Sequence, residues 1–307
     1  MNTKLEKKIY NAQCIGNVEP IEYMTPYPSM RSLVEGQTIK FSDQLIIQEK
    51  NITNRRFFCY VQQTSNWLES LGIKPKDRII MPNLKYPQSE ILLYGIWNIG
   101  ASVVLPAKIN FDEIKKKSDA KDLITSTTNL FNEIKKYSKS FEPKYKPLLY
   151  DEAVLSFEKS HGIRLSHYNL LINASGIQKA IGIKSRTHIH CDVLYGTTCW
   201  VVFKAILPIY CGCVYDSIEP DLTIGLSGND YNIRLDLRKI DMFNENDIAI
   251  CIENSAALSI GKKPIHLTEY SLGSDSIKIK GHSVMLGYLD ASVNEKSFID
   301  NSLNIPF

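Results

Sequence analysis

The chain has 307 residues, and 36 Lys plus Arg against 33 Asp plus Glu leave a formal charge of +3, too near neutrality for a general nucleic-acid or polyanion binder. Its 44% apolar and 22% charged residues, with 3 Trp, 16 Tyr and 11 Phe against only 16 Gly and 13 Pro, can bury a large core, which excludes a disordered or fibrous protein. One large globular domain or two lobes are expected.

Residues 1–30, with Pro20, Pro26 and Pro28 and no clear period, read as an extended lead-in wrapped on the body. From 31 the pattern becomes regular. Ile46 and Ile47 read as a short strand. Asn54 is placed to cap a helix whose positions Phe57, Phe58, Val61, Thr64, Trp67 and Leu68 recur at three and four residues, with Gly72 as its stop. Arg78 to Met81 reads as a strand, SEILLYGIWNIG as a helix ended by Gly100, and ASVVLPA as an apolar strand. This strand–helix–strand rhythm predicts a parallel sheet with a right-handed crossover. Residues 112–146 carry nine Lys and six acids and read as a solvated helix and strand outside the sheet rather than an anion-binding patch.

The second half repeats the pattern: AVLSF a strand, SHYNLLINASGIQKAIGI a helix, CDVLYG a strand, TCWVVFKAILPIYCGC a helix, then VYD. After 220, LTIGLSG, YNIRLDL, DIAICIE and SIKIKG predict short strands in a β-rich appendage or smaller sheet. The fold class is therefore α/β, two stacked sheet-and-helix lobes over 31–155 and 156–307, the second closed by the β-rich segment. There is no repeat of solenoid length.

The seven cysteines (14, 59, 191, 199, 211, 213, 251) show no repeated spacing and read as reduced thiols of a cytoplasmic protein, mostly core filler. Cys211-Gly-Cys213 is too tight for a usual zinc knuckle. His188 and His190 lie two apart on one side of a predicted strand; without a third ligand they read as satisfied polar histidines rather than a metal pair. Cys191, beside Asp192, would need a depressed thiol pKa to act as a nucleophile, and a buried cysteine is the default. The polar start MNTKLEKKIY predicts no signal peptide. The longest apolar stretch, Cys199 to Tyr215, is broken by Lys204 and Pro208 and falls short of a membrane span.

Three segments carry a resemblance through their order and spacing: GIKPKDRIIMPNLKYPQSEILLYGIWNIGASVVLPAKI (72–109), HGIRLSHYNLLINA (161–174) and IKIKGHSVMLGYLDASVNEKSFID (277–300). Together with the helix at 199–212 they resemble, over most of 31–300, the large N-terminal domain of the AMP-forming acyl- and aryl-activating ligases, the superfamily of acyl-CoA synthetases, adenylation domains and luciferases. His167 matches that family's helix-start histidine, while Gly281 and Gly287-Tyr288 serve backbone turns.

The resemblance weakens where the chemistry should be. In the family a Ser/Thr/Gly-rich loop ending in Pro-Lys-Gly wraps the ATP phosphates, since only residues without bulk let successive backbone N–H groups close on an anion. The corresponding stretch, Val154 to Gly162, keeps only Gly162; Phe157 adds bulk, and Glu158 sets a negative charge where phosphates would lie. Lys159 reads as a surface lysine on a shortened turn rather than a substitute for the loop lysine. The family's Tyr-Gly-x-Thr-Glu, which stacks adenine and supplies a carboxylate to magnesium, is represented only by Glu253, read as the polar end of a strand rather than a metal ligand. Ser156, Lys159, Gly162 and Glu253 thus mark a degenerate nucleotide site. The chain stops at SLNIPF, about where the family's Thr-Gly-Asp would hold the ribose, and the small mobile C-terminal domain is expected to be absent. The resemblance therefore implies that ATP and magnesium do not bind; CoA or an acyl-CoA stays open as a ligand.

The acyl pocket is the part expected to persist. Where the family sets a histidine beside the substrate carboxylate, the chain has Tyr195-Gly196-Thr197-Thr198-Cys199-Trp200, with Thr197 near the histidine's place. Gly196 would admit a ligand to the backbone and Trp200 would wall an apolar pocket; the alternative is a glycine turn and a core aromatic. Two functional readings follow. One is a non-adenylating binding or regulatory subunit for an acyl group, a carrier protein or a partner ligase. The other is an enzyme that keeps acyl or acyl-CoA chemistry, with the missing catalytic domain supplied by a partner or replaced. A third, a structural paralogue without ligand, requires Trp200 and its neighbours to fill the pocket.

Overall fold

Val103, Val104 and Leu105 are apolar on both strand faces, and such a strand needs cover on both sides. In the computed structural model, which describes residues 4–23, 25–106 and 110–307, they lie inside a five-stranded sheet. Its order is Gly287–Tyr288, Ile163–Ser166, Glu152–Ser156, Ser102–Leu105, Arg78–Ile80. The last three strands run parallel, with Ile79 opposite Val103 and Val103 opposite Val154, as the strand–helix–strand rhythm predicts. Residues 107–109, the end of the first resembling segment, lie outside the described residues.

The connecting helix, Gln88–Asn98, is buried at every position, as a helix apolar nearly all round must be. It joins the five-stranded sheet to the segment that carries Ala205. The Trp97 indole donates to the Ala153 carbonyl at 2.9 Å, and the Tyr94 hydroxyl to the Ala205 carbonyl at 3.1 Å. Asn54–Ser70 packs against it at Gly95, where a Cβ would stand 2.4 Å from Thr64 Cγ2. The N-cap of that helix is Thr53 rather than Asn54: its side chain accepts from the Arg56 N–H at 3.2 Å.

The larger sheet has nine strands, ordered Lys263–Pro264, Ala257–Ile260, Asp247–Ile250, Tyr231–Arg234, Leu222–Gly225, His188–Asp192, Val214–Tyr215, Leu45–Ile47, Ile52–Thr53. The six strands from Asp247–Ile250 to Leu45–Ile47 are parallel. This corrects the expectation of a separate β-rich appendage after 220, because Ile224, Ile233, Ile248 and Ala249 are buried and extend the central sheet. The strands that do form a separate four-stranded sheet are Thr268–Leu272, Ser276–Gly281, Ser302–Pro306 and Phe298–Ile299. Ser276–Gly281 there alternates buried and less buried positions, the mark of a sheet covered on one face. The sheets also cut across the boundary expected at 155/156. Leu45–Ile47 pairs with Val214–Tyr215, Gly287–Tyr288 pairs with Ile163–Ser166, and the hairpin from Glu152 to Ser166 straddles the boundary.

The lead-in is not extended throughout. Lys4–Gln13 is a helix with Leu5, Ile9 and Ala12 at i, i+4 and i+7, a face diluted by lysines in sequence. Gln13 anchors it by donating to the carbonyls of Val284 and Met285 at 2.9 and 3.1 Å. Residues 112–146 form two short helices, Phe111–Ser118 and Leu130–Ile134, and contribute one isolated bridge from Lys121 to Ile79 in place of the expected strand. Lys115 pairs with Asp122 at 3.0 Å and Lys117 with Glu113 at 2.7 Å, in keeping with a solvated face. The helix expected over 199–212 is a π-helix, Trp200–Ile206, running into the α-helix Leu207–Cys211. No described helix is long and apolar enough to cross a membrane.

Candidate functional site

In open parallel sheets ligands bind outside the carboxyl ends of the strands. Two features meet there: the turn 157–162, which follows Glu152–Ser156, and the segment after His188–Asp192, which carries Tyr195 to Trp200.

The turn reverses the chain into Ile163–Ser166, with Ser156 opposite Ile163. Gly162 holds φ at +67°, and a Cβ there would press on Leu289, Leu155 and Phe157 at 3.1–3.2 Å, so glycine is needed for conformation and for space. The Phe157 ring packs against Gly162 from the buried side of the turn. It is buried in a small core with Ile80, Val104, Ile114 and Leu155, because position 157 continues the inward alternation of its strand.

Glu158 fills the turn instead. One carboxylate oxygen accepts from the Ser156 hydroxyl at 3.0 Å and from the Thr198 backbone N–H at 2.7 Å. The Glu158 N–H donates back to Ser156 Oγ at 3.3 Å. Burial raises the Glu158 pKa above the usual carboxylate range, against the lowering effect of these hydrogen bonds, and the nearby charge of Glu253 pushes the same way as burial.

Lys159 is neither a free surface lysine nor a loop lysine awaiting phosphate. Its ammonium hydrogen-bonds Glu253 Oε1 in an ion pair. Glu253 does not end a strand; it sits in the short turn Ile252–Asn254 beyond Asp247–Ile250. Its side chain is 2% exposed against 42% for that of Lys159. The Tyr288 hydroxyl donates to the same oxygen at 2.9 Å, and the Cys251 thiol lies 3.6 Å from the other. Burial, then the Glu253 charge, raises the Tyr288 pKa. The four residues marked as a degenerate nucleotide site therefore divide into two internally paired clusters, Ser156–Glu158–Thr198 and Lys159–Glu253–Tyr288, with Gly162 shaping the turn between.

Within Tyr195 to Trp200, Trp200 is a core aromatic rather than a pocket wall. Gly196 takes φ +75° with no atom within 4 Å of a Cβ, so its role is the left-handed turn and not a close approach. Thr197 Oγ1 donates to the Leu194 carbonyl at 2.7 Å and accepts from the Trp200 N–H at 3.1 Å, which uses the hydroxyl to start the helix. Trp200 is 1% exposed; its indole donates to Glu90 Oε1 at 3.0 Å, and its ring lies 4.7 Å from that of Tyr195. Glu90 Oε2 is buried without a partner among the described residues, and burial raises the Glu90 pKa, partly offset by Lys204 and the indole. Sequence gave no signal for Glu90, which lies on a helix read only for its apolar residues.

The space that exists opens on the other side of Tyr195. A crevice of about 450 Å³ is lined by the 80–83 stretch, Pro106, Phe111, Asp122, the 124–126 stretch, Tyr195 and Gly196. Tyr195 closes one wall by donating its hydroxyl to the Pro82 carbonyl. Of the expected pocket residues, Tyr195 and Gly196 line this crevice, while Thr197 and Trp200 do not. The crevice and the Glu158 turn share one segment, anchored through Thr198 at one end and lining the crevice at the other.

The remaining sequence candidates are accounted for locally. His188 Nδ1 meets Asp216 at 2.8 Å and His190 Nδ1 meets the Tyr215 hydroxyl at 3.3 Å. Cys191 is fully buried, and burial raises its thiol pKa, the opposite of what a nucleophile needs. Cys211 and Cys213 are buried free thiols. Among the described residues, no three His, Cys, Asp or Glu side chains converge as a metal site.

No family model matches the chain, and no curated protein matches it in sequence. Solved structures match it in fold. Anthranilate CoA ligase AuaEII in complex with anthranoyl-AMP superposes with a TM-score of 0.74 at 13% identity, over 92% of this chain and 74% of that one. O-succinylbenzoate coenzyme A synthetase (MenE) from Bacillus subtilis gives 0.72 at 14% identity, over 89% and 75%. The N-terminal subdomain of Klebsiella oxytoca NpsA, in complex with 3-hydroxyanthranilyl-AMSN, gives 0.72 at 15% identity, over 91% and 95%. At such identities the likeness is one of fold: the chain has the fold of the N-terminal domain of the AMP-forming acyl- and aryl-activating ligases.

Proposed function

We propose that this chain is a non-adenylating relative of those ligases, a binding or regulatory subunit that takes a small acyl or aryl group in the crevice beside Tyr195 and serves a carrier protein or partner ligase. ATP and magnesium are not its ligands. The observation that carries this reading is the Glu158 carboxylate seated on the Thr198 N–H and the Ser156 hydroxyl, with the Lys159 ammonium committed to Glu253. A triphosphate needs free N–H groups and cations at that place. Each phosphate charge brought to about 4 Å from a carboxylate costs on the order of 4 kcal/mol at an effective dielectric of about 20.

An aryl or short acyl ligand suits the crevice, whose lining pairs apolar Met81, Pro82 and Phe111 with Asn83, Thr125 and Ser126 as polar contacts. The one lining carboxylate among the described residues, Asp122, is paired with Lys115. AuaEII and the NpsA subdomain carry anthranoyl-AMP and 3-hydroxyanthranilyl-AMSN in their structures, which supports aromatic acids as first probes. The same polar lining favours the second reading, an enzyme that retains acyl or acyl-CoA chemistry with catalytic groups supplied by a partner.

Thermal-shift measurements with ATP–magnesium, CoA and a panel of aryl and short-chain acids separate these readings, since a ligand selective for the native state adds about 2.7 kcal/mol of stability at a hundredfold excess over Kd. The expected result is a shift with one or more acids, none with ATP–magnesium, and no pyrophosphate exchange. A nucleotide-induced shift overturns the proposal. Thioester formation that appears only when a partner ligase is added selects the second reading.

A further inference from the structure

Away from the crevice, and sharing none of its lining residues, a cleft of about 760 Å³ opens where the last turn of the helix His167–Ile181 meets the edge of the nine-stranded sheet. Phe243, Ile260 and Pro264 give it an apolar lining, and Lys179, Lys262 and Lys263 face it against the single carboxylate of Glu245. Three ammonium groups and one carboxylate leave a surplus of two positive charges. None of these lysines forms an ion pair among the described residues. Lys179 lies over the Tyr23 ring at 5.0 Å and donates to its hydroxyl at 2.7 Å. The Nε2 of His266, also in the lining, is buried with no hydrogen-bond partner among the described residues, an arrangement that leaves a polar group waiting for one.

The charge surplus selects the ligand. A phosphate monoester carries about −1.5 to −2 near neutral pH and three strong acceptor oxygens, which matches a pair of surplus cations better than a monocarboxylate does. A peptide strand is disfavoured on the same edge. The outer strand is only Lys263–Pro264, and proline has no N–H to offer a neighbour.

We propose that this cleft binds a small organic phosphate, its apolar body against Phe243, Ile260 and Pro264 and its phosphate held by Lys179, Lys262 and Lys263, with His266 donating from Nε2. Burial and the Lys179 charge lower the His266 pKa, so in the empty cleft the imidazole is neutral near pH 7 and one tautomer carries a proton on Nε2.

The test titrates the full chain by calorimetry with phenyl phosphate, benzoate and inorganic phosphate, and repeats the first two in the double variant Lys262→Glu/Lys263→Glu. Both lysines are exposed, so the variant should melt with the wild type. Phenyl phosphate is expected to saturate one site and to bind at least about tenfold more weakly in the variant, the loss of roughly one charge-assisted contact. Inorganic phosphate should bind more weakly than phenyl phosphate, and any benzoate heat, which the crevice supplies, should be the same in the variant. Should the variant fail to fold, the His266 ring resonances of the wild-type chain decide: they must move with phenyl phosphate at the concentrations that saturate the heat. No saturable heat, an unchanged affinity in a folded variant, silent His266 resonances, or equal binding of inorganic phosphate overturns the proposal. The crevice reading survives any of these outcomes, because its residues are untouched.

Discussion

Replacing Lys159 by Met tests whether the ion pair at the 157–162 turn holds the structure together. The substitution keeps the unbranched stem and removes the ammonium, leaving Glu253, whose side chain is 2% exposed, with the Tyr288 hydroxyl at 2.9 Å and the Cys251 thiol at 3.6 Å. Breaking a fully buried pair from one side costs about 3–5 kcal/mol. Lys159 is 42% exposed, so water screens part of the attraction, and the retained tyrosine bond is worth about 1.5 kcal/mol or more to a charged acceptor. The expected loss is therefore about 2 kcal/mol. Glu253→Gln alone should cost less, because the lysine can turn to solvent, and the double variant should lose clearly less than the two single losses combined, with a coupling of about 1 kcal/mol. Urea denaturation followed by tryptophan fluorescence at pH 7.5 reads all four corners of the cycle. A Lys159→Met chain within about 0.5 kcal/mol of wild type, or strict additivity, would refute the reasoning and return Lys159 to the status of a solvated lysine.

The remaining predictions concern burial. Burial pushes the His167 imidazole down from 6.5 to about 4, with weak opposition from Asp151; the unfolded chain therefore takes up the proton first as pH falls. Stability present above pH 6.5 is lost toward pH 4, by about 2 kcal/mol at pH 5. Urea melts at pH 7.5 and 5 should show that extra loss in the wild type relative to His167→Asn, and equal pH slopes would contradict it. At Gly95 a methyl group would stand 2.4 Å from Thr64 Cγ2, so Gly95→Ala should cost about 1–3 kcal/mol, and Thr64→Ser in the same chain should recover part of it. A Gly95→Ala melting curve that superposes on wild type would show the two helices free to separate.

Much of the secondary structure was legible because it is encoded locally. The apolar period from Phe57 to Leu68 marks Asn54–Ser70 as a helix, and the Val103–Leu105 run marks a strand covered on both faces. The same local reading missed the helix at Lys4–Gln13, whose apolar positions are separated by lysines, and mistook Leu222–Gly225 and its successors for an appendage. A short strand carries no label for the sheet it joins.

The order of elements and the likeness to a ligase N-terminal domain were thus already written in hydrophobic period, turn residues and segment spacing, all properties of neighbouring positions. Strand order set everything else at the candidate site. Glu158 reaches Thr198 across 40 positions and Lys159 reaches Glu253 across 94, and Phe157 leaves the turn for a core assembled from four other stretches of chain. Charges and rings so far apart in sequence become partners only when the sheets bring their carboxyl ends together. Pairing energy falls off within a few ångströms, whereas a sequence pattern records distance only along the chain.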